Sequence, residues 1–155
     1  MLVKWFHHAI PARYDWEWLK RMGCYLDGSN PPAGFSNAGE KIYYWALVLA
    51  GATLVVSGFY LLFPNFGFER GPMQTANIVH AVSSLVLVAF VLLHIYLGTI
   101  GMRGAYDAMR HGYVDEAWAH EHHAYWYEDI QAGKIPAHRS QPLVIADETE
   151  TPRPA

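Results

Sequence analysis

Two stretches of the chain, residues 42–63 and residues 75–102, carry no Asp, Glu, Lys or Arg. Each exceeds the roughly 20 apolar residues that a helix needs to cross about 30 Å of hydrocarbon. The pattern predicts two transmembrane helices, over about residues 41–63 and 75–102. Pro64, Asn65, Phe66 and Gly67 stop the first, and Arg103 ends the second. Tyr43, Tyr44 and Trp45 mark one membrane interface, and Tyr60, Phe63, Phe66 and Phe68 mark the other. The link between the spans is short and holds only Glu69 and Arg70 as charges, so the two form an antiparallel hairpin.

The flanks are mixed and polar. Residues 15–23 read as a short amphipathic helix, with Asp15 capping its start and Gly23 ending it. Trp16, Leu19 and Met22 fall near one side, which suits a helix lying on a membrane surface. Residues 28–34, rich in Gly, Pro, Ser and Asn, are a loop. Residues 104–131 have a helical pattern dense in aromatics and histidines, and residues 136–155 hold four prolines without periodicity, the composition of a disordered tail. The expected organisation is a cytoplasmic and interfacial segment (residues 1–40), a membrane hairpin (41–103), a cytoplasmic helical segment (104–135) and the tail (136–155). Lys4, Arg13, Lys20, Arg21 and Lys41 precede the hairpin, and Arg103, Arg110, Lys134 and Arg139 follow it, whereas the link holds only Arg70. The positive-inside rule then places both termini in the cytoplasm, in a multi-pass protein of the inner membrane.

At 155 residues the chain is about one domain, and its charged fraction of 16% hides how completely the charges are segregated. A net charge of −3 offers no basic footprint for phosphates, which argues against a nucleic-acid partner. The single cysteine, Cys24, has no partner for a disulfide and excludes an iron–sulfur cluster or a multi-cysteine zinc site held by this chain alone. The apolar patch in residues 1–10 is short, contains His7 and His8, and lacks a small-residue cleavage site, unlike a signal peptide.

The chemistry sits inside the second span. His80 and His94 are fourteen residues apart. That spacing is about 40° short of four full helical turns, so both rings leave one face, about 21 Å apart along the axis. An ionisable side chain in hydrocarbon marks function by default. The two imidazoles are too distant to share one metal ion, but they suit two separate centres, one per leaflet. Haem fits best, because neutral imidazole is a good axial ligand and the macrocycle is apolar. Ser84, Leu87, Val91 and Gly98 lie along the same face, and Gly51 and Gly58, seven apart on the first span, share a face where bulk is missing. The plainer alternatives are an intramembrane histidine that only hydrogen-bonds to a neighbouring helix, and glycines that only serve helix packing.

Several motifs together resemble the gamma subunit of formate dehydrogenase, a membrane cytochrome b. Phe35-Ser36-Asn37-Ala38-Gly39-Glu40-Lys41-Ile42-Tyr43-Tyr44-Trp45 is similar to the segment opening that family's third membrane helix. Ile78-Val79-His80-Ala81, His94-Ile95-Tyr96 and Gly104-Ala105 resemble its fourth helix and exit. Gly112-Tyr113-Val114-Asp115-Glu116-Ala117-Trp118-Ala119, with His122-His123 and Trp126-Tyr127, resembles its C-terminal segment, and Phe6-His7-His8-Ala9-Ile10-Pro11 the end of its second helix. The resemblance implies half of a four-helix, di-haem cytochrome b bundle working in the electron transport of anaerobic respiration. Electrons would come from an iron–sulfur (beta) subunit, fed by a molybdenum or tungsten catalytic (alpha) subunit that oxidises formate, and would pass through two b haems to a quinone. His80 matches an axial ligand of the haem on the catalytic-subunit side and His94 one of the haem nearer the cytoplasm. Asn37 and Gly39 match positions implicated in quinone contact. This chain would itself carry no catalytic site.

The sequence departs from that family in lacking the first two helices, which supply each haem's second histidine; no other histidine here lies within a span. The expected explanations are a split subunit, a truncated start, or a separate chain carrying the missing helices. Glu40 also stands where the family often has glutamine. Asn37 reads equally as a helix cap, and Lys41 as a snorkelling anchor. Arg103 reads both as a positive-inside anchor and as a partner for a haem propionate. His120, His122 and His123 with Glu121 give no clean ligand face and are expected at a surface or subunit contact, as are Asp115, Glu116, Trp118, Trp126 and Tyr127; His7 and His8 are expected to be structural. Two other functions remain open: a cytochrome b serving a hydrogenase or another molybdoenzyme, and a haem-free membrane anchor.

Overall fold

A computed structural model describes residues 5–23, 26, 28–63 and 69–137. Cys24, Phe66, Phe68, the stop at residues 64–67, most of the expected tail, Lys4 and Arg139 lie outside the described residues. Among the described residues all regular structure is helical. A 3-10 turn, Phe6–Ala9, precedes α1 (Arg13–Arg21). Two long helices follow, α2 (Ala38–Leu62) and α3 (Arg70–Tyr96), the latter running into a π-turn at Leu97–Gly101. Three short helices complete the order: α4 (Ala105–His111), α5 (Glu116–His122) and α6 (Ala124–Gln131).

Both long helices begin before the charge-free stretches, because caps rather than hydropathy set helix ends. At α2 the Asn37 side-chain oxygen accepts the Glu40 N–H at 2.9 Å, and the Asn37 N–H donates to Glu40 Oε2 at 3.1 Å. This reciprocal pair satisfies two of the donors that a helix start leaves orphaned. At α3 Pro72 falls in the first turn, where a missing N–H costs nothing. At 25 and 27 residues the helices are long enough, about 37 and 40 Å, to cross a bilayer core. The π-turn is visible in the Met102 N–H, which bonds to Leu97 O, five residues back, at 3.1 Å.

α2 and α3 pack along one another as the expected hairpin. Their outer surfaces are left bare: Val55 is 74% exposed, Leu85 72% and Leu92 62%. Faces this apolar and this large would aggregate in water but are natural against lipid. Several hydroxyls within the spans are satisfied by their own helix, as hydrocarbon demands. Thr53 donates to Leu49 O at 2.8 Å, Ser84 to His80 O at 2.8 Å and Thr99 to Ile95 O at 2.6 Å. The chain is therefore an all-α membrane protein with two spanning helices.

The polar flanks fold back on the start of α2. Lys41, 5% exposed, donates from Nζ to both Asp15 oxygens at 2.9 Å and to the Tyr14 hydroxyl at 3.2 Å. It is a buried ion-pair partner for α1 rather than a snorkelling anchor. Asp15 is not the cap residue of α1 either. The helix starts two residues earlier, and Asp15 Oδ2 reaches back to accept the Ala12 N–H at 2.6 Å. α1 ends at Arg21 and is capped by Met22, which takes a left-handed conformation one residue ahead of the expected glycine. Trp16 and Met22 stay exposed on its outer side. In the 3-10 turn, Ala9 O accepts from Trp45 Nε1 at 3.0 Å.

The C-terminal helices close over the loop that leads into α2. The Tyr125 N–H donates to Ala33 O at 3.0 Å, Asn30 Nδ2 donates to Glu121 Oε1 at 3.0 Å, and Trp126 stands edge-on to Phe35 at 5.9 Å. α5 is capped by Asp115, whose carboxylate accepts the Ala117 N–H at 2.7 Å. Tyr127 donates to Glu116 Oε1, and this bond to a carboxylate holds the phenol's pKa above its ordinary value. Trp118 donates from Nε1 to Arg103 O at 2.8 Å. Much of the aromatic content expected to meet a membrane surface or another subunit is thus used within the chain.

Candidate functional site

The two intramembrane histidines both turn toward α2, and the hairpin meets them in a single register. His80 lies opposite Ser57 and His94 opposite Tyr43, and each pair of positions is fourteen residues apart on its own helix. An antiparallel pair that keeps one register over four turns places both imidazoles at the α2–α3 seam.

The two seats differ in chemistry. At His80, Nδ1 is 3.0 Å from Ser57 Oγ, and the Ser57 hydroxyl is itself 2.7 Å from Thr53 O. Ser57 is 5% exposed. Gly58 completes this seat, because a Cβ there would sit 3.3 Å from His80 Cε1. No described residue hydrogen-bonds to His80 Nε2. An open groove of about 630 Å³ runs beside Ser57 between the helices, lined by small side chains such as Ala52, Thr53, Thr75 and Ala76. At His94 the ring stacks on Tyr43, centroids 4.4 Å apart and planes within 9°, with Phe90 flanking Tyr43 at 6.4 Å. His94 is exposed, and no described residue hydrogen-bonds to either of its nitrogens.

At the His94 end of the hairpin, Asn37 is 8% exposed. Its oxygen is committed to the Glu40 N–H, so the side-chain NH2 is the group left to donate. Gly39 is a packing position: a Cβ there would meet the Trp18 ring of α1 at 2.8 Å. Glu40 Oε1 faces His123 Nε2 at 3.9 Å, while His123 Nδ1 is 2.9 Å from Gly34 O. Arg103 is exposed just past the π-turn.

The histidine-rich C-terminal stretch divides. Among the described residues no three His, Cys, Asp or Glu side chains converge as a metal site. His120 is exposed, and His122 stacks on Trp118 with centroids 4.6 Å apart. His123 departs from the expected surface position: it is 6% exposed and buried inside the chain. His8 packs on Phe35 with ring centroids 4.3 Å apart.

Sequence reasoning passed over Ser57, Tyr43 as a stacking partner, the Asp15–Lys41 pair and the His123–Glu40 contact. The signal for the first two was present. Once a hairpin is assumed, the fourteen-residue interval of His80 and His94 repeats between Tyr43 and Ser57.

Comparison with known proteins adds the following. Residues 1–112 match the family model described as prokaryotic cytochrome b561. The chain is 31% identical over 137 residues to the nitrate-inducible formate dehydrogenase cytochrome b556(Fdn) subunit of Escherichia coli, covering 84% of this chain and 62% of that protein. It is 28% identical over 134 residues to the cytochrome b556(fdo) subunit of formate dehydrogenase from the same organism, covering 84% and 63%. It is 30% identical over 140 residues to the formate dehydrogenase cytochrome b556 subunit of Haemophilus influenzae, covering 87% and 58%. The chain thus spans about three-fifths of the length of these relatives.

Proposed function

The chain belongs to the prokaryotic cytochrome b561 family, and on that footing we propose that it serves as the cytochrome b membrane subunit of a formate dehydrogenase complex, passing electrons from an iron–sulfur (beta) partner to a quinone. The observation that carries this reading is the pair of seam histidines, fourteen residues apart on one helix, each with a nitrogen that no described residue engages. Cytochromes of this kind use haem b, and the donor set suits it: His80 and His94 present imidazole from a dry apolar helix, the chemistry of an axial ligand. Haem iron, when bound, supplies one-electron transfer between its ferric and ferrous states.

In this reading His80 would hold the haem nearer the outer face, and His94 the haem nearer the cytoplasm. The two spans contain no other histidine, so the second ligand of each haem comes from outside these residues, on two further helices. Arg103, just beyond the inner end of α3, would hold a propionate by charge-assisted hydrogen bonds. At the same end Asn37 offers its NH2 to a quinone carbonyl, with Gly39 beside it keeping the first turn of α2 narrow. Glu40, at the polar mouth, passes protons from the cytoplasm. α1 lies on the inner membrane surface with Trp16 and Met22 outward. Formate chemistry belongs to the molybdenum or tungsten (alpha) partner.

The test is the reduced-minus-oxidised absorption spectrum of the purified complex. His80→Ala and His94→Ala should each remove one b-type component and stop formate-driven quinone reduction. Unchanged spectra in both variants would overturn the proposal in favour of a haem-free anchor. Copurification with a nickel–iron subunit in place of a molybdopterin subunit would reassign the electron donor to a hydrogenase.

A further inference from the structure

The proposed function needs an imidazole at residue 80 but says nothing about what sets its tautomer. A neutral histidine can ligate iron through Nε2 only if its proton sits on Nδ1. In hydrocarbon that N–H also needs an acceptor, because no water is there to provide one.

We propose that Ser57 is the positioning residue of the His80 ligand, accepting the Nδ1–H so that Nε2 is left as the lone-pair donor toward the iron of a b haem. The proposal rests on the haem reading above and deepens it. A serine hydroxyl has one proton. Ser57 Oγ lies 2.7 Å from Thr53 O and 3.0 Å from His80 Nδ1. The carbonyl can only accept, and it takes the shorter bond, so the hydroxyl proton goes to Thr53 O. What Ser57 has left for His80 is a lone pair, and the bond to Nδ1 therefore runs from the imidazole to the serine. Gly58 makes this geometry available. A Cβ at that position would stand 3.3 Å from Cε1 and 3.7 Å from Nδ1, pressing the ring away from Ser57. No described residue hydrogen-bonds to Nε2, which is the nitrogen that ligation requires.

The arrangement has an electronic consequence. An acceptor on the far nitrogen raises the basicity of a ligating histidine, and a more basic ligand favours ferric over ferrous iron. Ser57 therefore lowers the midpoint potential of its own haem. His94 has no such acceptor among the described residues and stacks on Tyr43 instead. The same substitution principle applied at Ser57 should leave the His94 haem untouched.

The experiment is a potentiometric titration of the purified complex followed at the b-type absorbance, with low-temperature electron paramagnetic resonance of the ferric haems. Ser57→Ala should keep both b-type components. The component that disappears in His80→Ala should have its midpoint raised, with up to about a tenfold higher ferrous-to-ferric ratio at the wild-type midpoint, the lower end of what loss of an outer partner does to a metal site. Its low-spin ferric signal should shift, and the component lost in His94→Ala should not move. Ser57→Thr keeps the hydroxyl and should restore the wild-type midpoint. Ser57→Cys, of nearly the same size with a weaker acceptor, should fall between serine and alanine. An unmoved midpoint in Ser57→Ala, or a cysteine variant indistinguishable from wild type, overturns the role of Ser57 while leaving haem at His80 standing. A wild-type complex without a His80-dependent b-type component overturns the haem reading itself, and the role of Ser57 with it.

Discussion

The two ends of the hairpin hold the same residue type by different means. At the His80 end, the outer end in the proposed orientation, the ring is fixed by one directional hydrogen bond to a hydroxyl buried in the helix seam, with a glycine beside it to admit the ring. At the His94 end, the inner end in that orientation, His94 is exposed and lies flat on Tyr43, near a polar belt of Asn37, Glu40, His123 and the Asp15–Lys41 pair. One seat is dry and specifies a tautomer. The other leaves both nitrogens open and stands next to groups that can exchange protons with water. The proposed function gives this asymmetry a use: an end that only moves electrons should exclude water, and an end where a quinone is protonated must reach it.

The largest effect that would break the comparison lies in the inner belt. Lys41 and Asp15 have side chains only 6% and 10% exposed. Removing one partner leaves a buried charge, which costs about 3–5 kcal/mol, whereas replacing both by apolar residues of similar size is often neutral. Lys41→Ala should therefore detach α1 from α2 and expose it to protease in detergent. Lys41→Met combined with Asp15→Leu should recover most of the lost thermal stability, less the Ala12 N–H bond that Asp15 also accepts. A single variant that melts like wild type would show that the inner end does not depend on this pair. The His80 component of the spectrum should be unaffected in either case.

The outer end answers to volume instead. Gly58→Val places branched carbons against His80 Cε1, where even a Cβ would sit at 3.3 Å. Overpacking of this kind costs about 1–3 kcal/mol. The ring must move off Ser57, so the His80-dependent b-type component should shift or be lost while the His94-dependent one persists. Equal perturbation of both components would mean that Gly58 acts through the packing of the whole hairpin.

These positions also show what the sequence discloses. The spans, their hairpin and the shared face of His80 and His94 follow from charge-free runs and helical period, which are one-dimensional signals. Helix starts were less legible: Asn37 could be read as a cap, but its reciprocal pair with Glu40 starts α2 at Ala38, four positions ahead of the apolar run. Asp15 and Lys41 each had a sensible local role, as cap and as anchor, and a local role conceals a partner 26 residues away. His123 was hidden in the same way: four histidines between residues 111 and 123 read as a polar surface, yet one of them is buried against the loop before α2. Ser57 looked like an ordinary small residue in a span. Only the register of the hairpin gives it a histidine to face.

A smaller effect sharpens the inner seat. Asn37→Ala removes the acceptor for the Glu40 N–H, and loss of a cap of this type costs about 1 kcal/mol. A loss that size lowers the melting temperature slightly and leaves the absorption spectrum intact. If the side-chain NH2 also contacts the quinone, KM for quinone should rise well beyond what so small a stability change explains, while formate oxidation with an artificial dye acceptor stays normal. Asn37→Asp keeps the cap and removes the amide donor, so it should separate the two roles: stability as in wild type, quinone reduction impaired. Full quinone activity in Asn37→Asp would reduce Asn37 to a cap.

The smallest effect concerns the stack itself. Tyr43 and His94 lie nearly parallel at 4.4 Å, and offset aromatic pairs contribute about 0.5–1.5 kcal/mol beyond their burial. The low end applies here because His94 remains exposed. Tyr43→Phe preserves the stack and should leave the His94-dependent component unchanged in potential and line shape. Tyr43→Leu removes the flat surface that orients the ring, so its low-spin ferric signal should broaden as the imidazole samples more rotations, with little change in melting temperature. The His80 signal is the internal control, since its orientation is set by Ser57. Broadening of the His80 signal to the same degree would show that the two seats are not independently held, and the contrast between a hydrogen-bonded and a stacked ligand would fail.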